Sequence, residues 1–214
     1  MRNIFILLTI WVLIFTGCFH VEAIRTTIAP AGTKDKKYPA KMAVHFSPQL
    51  RQLVEIKNPD TSYGNKHTYY YIMGPSLQAA LIKSVESAYS NVSLSDILPS
   101  MGEYARIISF DLESSKVIVE FVPGYLSQEA KATAVVGVMM EVIDGSSLKT
   151  IRRVKWQGSV TSTRDASGFN AYASKHFASA MEDAIEQLAE KASKLLISGA
   201  AESRWRAKRP PRQK

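Results

Sequence analysis

The chain has 214 residues, 46% of them hydrophobic, a formal net charge of +8 and one cysteine. A single thiol excludes an internal disulfide framework and any metal site built on several thiolates. Divided along the chain, the charge is also a poor footprint for nucleic acid. Residues 42–203 net −2, residues 25–41 net +4, and residues 204–214 hold six bases, so the basicity lies in the flanks.

The N-terminus is charged at Arg2, and Ile4 to Phe15 (IFILLTIWVLIF) is then apolar except for Thr9. That is the n-region and h-region of a secretory signal. A membrane span needs about 20 apolar residues, and counted even to Phe19 this run reaches sixteen. Two cleavage points follow. Phe15-Thr16-Gly17-Cys18 resembles the bacterial lipobox, and Val21-Glu22-Ala23 offers the small-x-small pattern of ordinary signal peptidase. The first keeps Cys18 as the new N-terminus; the second, after Ala23, discards it and releases a soluble, cysteine-free protein, which would be a periplasmic ligand-binding module. The lipobox resemblance implies that the thiol of Cys18 takes a diacylglycerol and the new amino group a further acyl chain. One chain holds a protein marginally and two or more hold it stably. Asp after the cysteine retains many such lipoproteins at the inner membrane; here the residue is Phe19, which implies the outer membrane, periplasmic face.

Residues 18–40 lack a period and contain Pro30, Gly32 and Pro39, and they are expected to form a flexible linker. Fully extended, such a linker would give a reach of roughly 70 Å. Residues 41–199 form one expected domain. Met42, Val44 and Phe46 alternate as a strand, Gln52 to Lys57 reads as a second, and HTYYYIM, residues 67–73, as a third. Gly74-Pro75-Ser76 opens a helix with the stripe Leu77, Leu81, Val85 and Ala88. Four β-runs are predicted next: Ala105–Leu112 and Lys116–Val122 around a turn at Glu113-Ser114-Ser115, then Ala132–Ile143 and Lys149–Thr163 around Asp144-Gly145-Ser146-Ser147. Val154, Trp156 and Val160 alternate with Lys155, Gln157, Ser159 and Thr161, the mark of a sheet with one wet face. Asn170 can cap a helix over 171–198 with the stripe Phe177, Met181, Ile185, Leu188, Ala192 and Leu195, stopped by Gly199. Residues 200–214 read as a basic disordered tail. The expected class is α+β, an antiparallel meander sheet with two amphipathic helices packed on one face.

Taken together, the lipobox, KMAVHFSPQLRQ, MGPSLQAALIKSVESAYSNV, the meander and FNAYASKHFASAMEDAIEQLAEKASKLL resemble the YajG-type and transport-auxiliary lipoproteins of Gram-negative bacteria. That resemblance implies an accessory role in envelope assembly or transport.

A search for chemistry returns little. His20, His45, His67 and His176 fall in unlike elements without HExxH spacing, although a pair such as His45 and His67 could meet in space. Gly74-Pro75-Ser76-Leu77-Gln78 lacks the second glycine of a nucleophile elbow, and Ser146 to Lys149 puts S-x-x-K in a hairpin turn. Asp111 with Glu113, and Glu182, Asp183, Glu186 and Glu190, read as solvated faces, since a working acid needs a sheltered pocket. No catalytic residue, metal or cofactor is expected. The candidate sites are the lipidation site Cys18 and binding positions Tyr69, Tyr71, Arg152, Arg153, Lys155 and Trp205, the last at an anionic headgroup surface. The expected partners are membrane lipid through acylated Cys18 and an envelope protein, with no nucleic acid.

Overall fold

The computed structural model describes residues 18–26, 37–59, 67–123, 128–166 and 173–207. In chain order these form β1 (Cys18–Ala23), β2 (Tyr38–Phe46), α1 (Pro48–Arg51), β3 (Val54–Lys57), β4 (His67–Ile72), α2 (Gly74–Ala88), β5 (Tyr89–Ser95), β6 (Arg106–Pro123), β7 (Gln128–Asp144), β8 (Thr150–Asp165) and α3 (Lys175–Ala207). A small sheet has the order β1-β4-β3 and a large one β5-β2-β6-β7-β8. The class is α+β, as the sequence implies.

Three antiparallel strands, β6, β7 and β8, make the meander where four runs are expected. The polar residues Glu113-Ser114-Ser115 are no turn: β6 continues through them for 18 residues. Its register against β7 shifts between Leu112 and Ser114. The extra residue of this bulge switches the inward parity. Ile108 and Phe110 face the core before it, and Val117, Val119 and Phe121 after it. Parallel neighbours extend the sheet, because β2 pairs in parallel with both β5 and β6. The sheet is therefore mixed rather than purely antiparallel.

The helices form by the stripes expected of them. Leu77, Leu81, Val85 and Ala88 of α2 are buried. So are Phe177, Met181, Ile185, Leu188 and Ala192 of α3, although Leu196 completes that stripe in place of the half-buried Leu195. Gly74 is required at the start of α2, since a Cβ there would lie 2.2 Å from the Arg51 carbonyl oxygen. The two helices meet where the buried Ser84 hydroxyl donates to the Ala189 carbonyl at 2.8 Å. Trp156 of β8 donates its indole N–H to the Leu188 carbonyl of α3 at 3.0 Å. Beside it, a Cβ on Gly158 would come within 1.9 Å of the Ala184 carbonyl oxygen, so glycine alone permits this approach. One apolar core joins both sheets and all three helices, with Phe46, Tyr69, Tyr71, Phe110 and Phe177 among its largest members. A small second cluster, Ala43, Ile107 and Ile143, lies on the opposite face of the large sheet under Tyr104.

Both flanks depart from expectation. Cys18–Ala23 is a strand, not linker, and pairs in parallel with β4 from Cys18 opposite His67 to Ala23 opposite Ile72. Ile24 is buried, its N–H donates to the Ile72 carbonyl at 3.1 Å, and its own carbonyl accepts from the Ser76 hydroxyl. The Arg25 N–H reaches Glu182 of α3 at 3.4 Å. Residues 38–40 of the expected linker are the first of β2, while residues 27–36 lie outside the described residues, as does Asn170. At the other end, α3 passes through Gly199 to Ala207, so residues 200–207 are helical backbone and not a disordered tail. Residues 208–214 lie outside the described residues.

Candidate functional site

Cys18 is the first residue of β1 and the register partner of His67. Alternation along β1 is inverted relative to an ordinary half-buried strand. His20 and Glu22 turn toward the body of the protein, where the Ser174 hydroxyl donates to Glu22 at 2.7 Å. Phe19 and Val21 face outward, 64% and 65% exposed.

Tyr69 and Tyr71, expected as binding residues, are fully buried core. They stack on one another with centroids 6.1 Å apart, and Tyr69 meets Phe177 of α3 edge-on at 5.4 Å. Exposed aromatic surface on β4 falls instead to the half-buried Tyr70. The Tyr71 hydroxyl is buried with no hydrogen-bond partner among the described residues. Burial, with Tyr69 and Glu22 nearby, pushes its pKa far upward.

The histidine pair that forms is His20 with His67, not His45 with His67. Their Nε2 and Nδ1 atoms are 2.8 Å apart, and the His20 ring stacks on Tyr69 at 4.8 Å. Burial lowers both pKa values, and each neutral ring then offers one donor and one acceptor. His45 instead sits 3.1 Å from the Ser109 hydroxyl. Among the described residues no three His, Cys, Asp or Glu side chains gather as a metal site.

The three basic candidates on β8 do not share a surface. Arg152 is exposed near Gly199 of α3, on the helix side of the sheet. Arg153 and Lys155 project from the wet face, where Arg153 pairs with Glu141 of β7 and Lys155 with Glu113 of β6. Lys131 and Glu120 add a third pair at 2.8 Å, and Thr133 and Thr161 share a hydrogen bond at 2.9 Å. Three charge pairs on this face are thus compensated from within the sheet. Asp111 accepts from the Leu112 N–H at 2.9 Å and Glu190 pairs with Lys194, as solvated carboxylates do. Glu182 lies deeper than expected: burial, with Asp183, Glu22 and Glu186 nearby, raises its pKa. Trp205 lies within helical backbone near the end of α3.

The surface that sequence reasoning missed is the outer face of the small sheet. Register places Val21 beside Tyr70 and Tyr70 beside Ile56; Ala23, Ile72 and Val54 form the next row, with Phe19 at the end. Ile56 is 53% and Val54 43% exposed. The Phe19 and Tyr70 rings are 6.2 Å apart. The alternation of FHVEA was the available signal, and its apolar members point outward.

No protein-family model matches the chain, and no curated protein does. Among solved structures it is similar to protein XCC0632 from Xanthomonas campestris, of the DUF330 family model. That pair is 13% identical with a TM-score of 0.50, over 87% of this chain and 98% of that one. It is also similar to a minor lipoprotein from Acinetobacter baumannii at 9% identity and a TM-score of 0.39, over 77% of this chain and 95% of that one. The first likeness establishes a shared fold. No helix among the described residues is long and apolar enough to cross a membrane.

Proposed function

We propose that this chain is a lipid-anchored, non-enzymatic protein of the Gram-negative envelope, held at the outer membrane by acylated Cys18 and facing the periplasm as an accessory to an assembly or transport complex. The observation that carries this reading is the pairing of residues 18–23, directly after the lipobox, with β4 along their whole length. Cleavage before Cys18 would deliver β1 whole. Cleavage after Ala23 would remove all six residues of β1 and leave β4 an open edge above the buried Tyr69 and Tyr71. The fold therefore favours the lipobox over the soluble alternative. Phe19 in place of Asp supports the outer membrane through the lipoprotein resemblance. The non-enzymatic part rests on the pairing of the exposed acids with bases rather than in a sheltered pocket.

The test is the intact mass of the mature protein from the membrane fraction, beside a Cys18→Ser variant. The expected result is residues 18–214 plus acyl chains, with the variant unprocessed or mislocated. A soluble product beginning at Ile24, unaffected by the substitution, overturns the reading.

A further inference from the structure

The anchor and the exposed apolar face belong to one sheet. We infer that the outer face of the β1-β4-β3 sheet is a membrane-seating surface, with the lipid leaflet as its occupant; this rests on acylation of Cys18.

The argument is geometric. Once Cys18 is the first residue of the mature chain, no spacer separates the acylated residue from β1. A strand rises about 3.3 Å per residue, so Val21 lies within roughly 10 Å of the lipid attachment and cannot leave the bilayer surface. The side chains presented there are Phe19, Val21, Val54 and Ile56, with the Tyr70 ring among them. Contiguous exposed apolar surface marks an interaction site, and this one is tethered to hydrocarbon. Aliphatic side chains suit the headgroup–acyl boundary, and an aromatic ring with a polar tip suits the interface level. The polar members of β1, His20 and Glu22, are turned the other way and engaged within the protein. The sheet thus rests face-down, and the acyl chains plus the apolar face fix the orientation of the domain as well as its location.

The chain has one cysteine, which acylation consumes, so an added thiol is the only free one in the mature protein. Ile56→Cys and, separately, Val21→Cys place it on the face. Lys194→Cys places it on the exposed side of α3 as a control. Each lipidated variant is labelled with an environment-sensitive nitrobenzoxadiazole dye. It is then reconstituted in phosphatidylethanolamine–phosphatidylglycerol vesicles carrying spin-labelled lipid. Quenching several-fold stronger at positions 56 and 21 than at 194, with a blue-shifted emission, is the expected result. Equal, solvent-like readings in protein whose mass shows acylated Cys18 overturn the seating surface and leave the lipoprotein reading intact. A mass without acyl chains overturns both. Shielding at position 56 that persists in detergent together with a doubled particle mass assigns the face to a second copy and overturns the lipid occupant.

Discussion

The wet face of the large sheet and the outer face of the small one are both open to solvent, yet they are built on opposite terms. Across β6, β7 and β8, three pairs of long charged side chains that project oppose one another: Glu120 with Lys131 and Glu141 with Arg153 on neighbouring strands, and Glu113 with Lys155 across β7. Cross-strand pairs of this kind give modest stability and leave little net field. Across β1, β4 and β3 the same positions carry Phe19, Val21, Tyr70, Ile56 and Val54. A face completed by its own cross-strand partners needs nothing further, whereas an apolar face in contact with water is incomplete. Arg153 and Lys155 each already face a carboxylate within the sheet, whereas Phe19, Val21, Val54 and Ile56 are exposed.

Four experiments sharpen this contrast. The largest effect belongs to β1 itself. A soluble chain beginning at Ile24 should be less stable by about 3 kcal/mol or more than one beginning at Phe19, because a whole strand of backbone pairing and the cover over β4 are lost. Urea denaturation of the two chains measures it; equal midpoints would make β1 an appendage rather than part of the sheet.

Next comes a pH effect at the small sheet. Burial holds His20 and His67 below their ordinary pKa of about 6.5. The unfolded chain then takes up protons first as pH falls, so the contribution of the neutral pair is full above about 6.5 and is lost as pH drops through the lowered values. Urea midpoints between about pH 8 and pH 5 should decline, and more shallowly in His67→Gln.

Tyr71→Phe removes a buried hydroxyl that has no partner among the described residues. Stability should rise by up to about 1 kcal/mol, since only desolvation of the hydroxyl is relieved. A loss on thermal denaturation would reveal a partner for that oxygen.

The smallest effect lies on the wet face. Lys155→Ala breaks one exposed pair with Glu113, whose side chains are 56% and 40% exposed. The cost should stay below about 1 kcal/mol and shrink in salt. A greater loss would mean that this face is more than a solvated cover.

Much of the fold was legible because its signals are local. The α2 stripe, the alternation of β8 and the turn at Asp144, whose carboxylate accepts from the Ser146 and Ser147 N–H groups at 3.1 Å, each follow from a few neighbouring residues. The errors came from long-range context. Glu113-Ser114-Ser115 has turn composition, but β7 pairs along both sides of it and converts it to a bulge. β5 is the polar YSNVSLS at a sheet edge, so its pairing with β2 leaves little hydrophobic trace. Tyr69 and Tyr71 look alike with Tyr70, and only the packing of Phe177 from a distant helix decides that the odd-numbered pair goes inside. Of the candidate sites, Cys18 could be singled out by motif. The apolar face could not, because it needs residues 19–21, 54–56 and 70 to be neighbours.

Parallel pairing of β1 with β4 joins residues 18–23 to residues 67–72. In an exported chain the earlier segment emerges well before its partner, and non-local pairing of this sort is slow. On the proposed lipoprotein reading, any processing at Cys18 has to act before β4 docks, because the docked strand is paired with β4 from Cys18 to Ala23. Closing the small sheet would then mark the end of maturation as well as of folding.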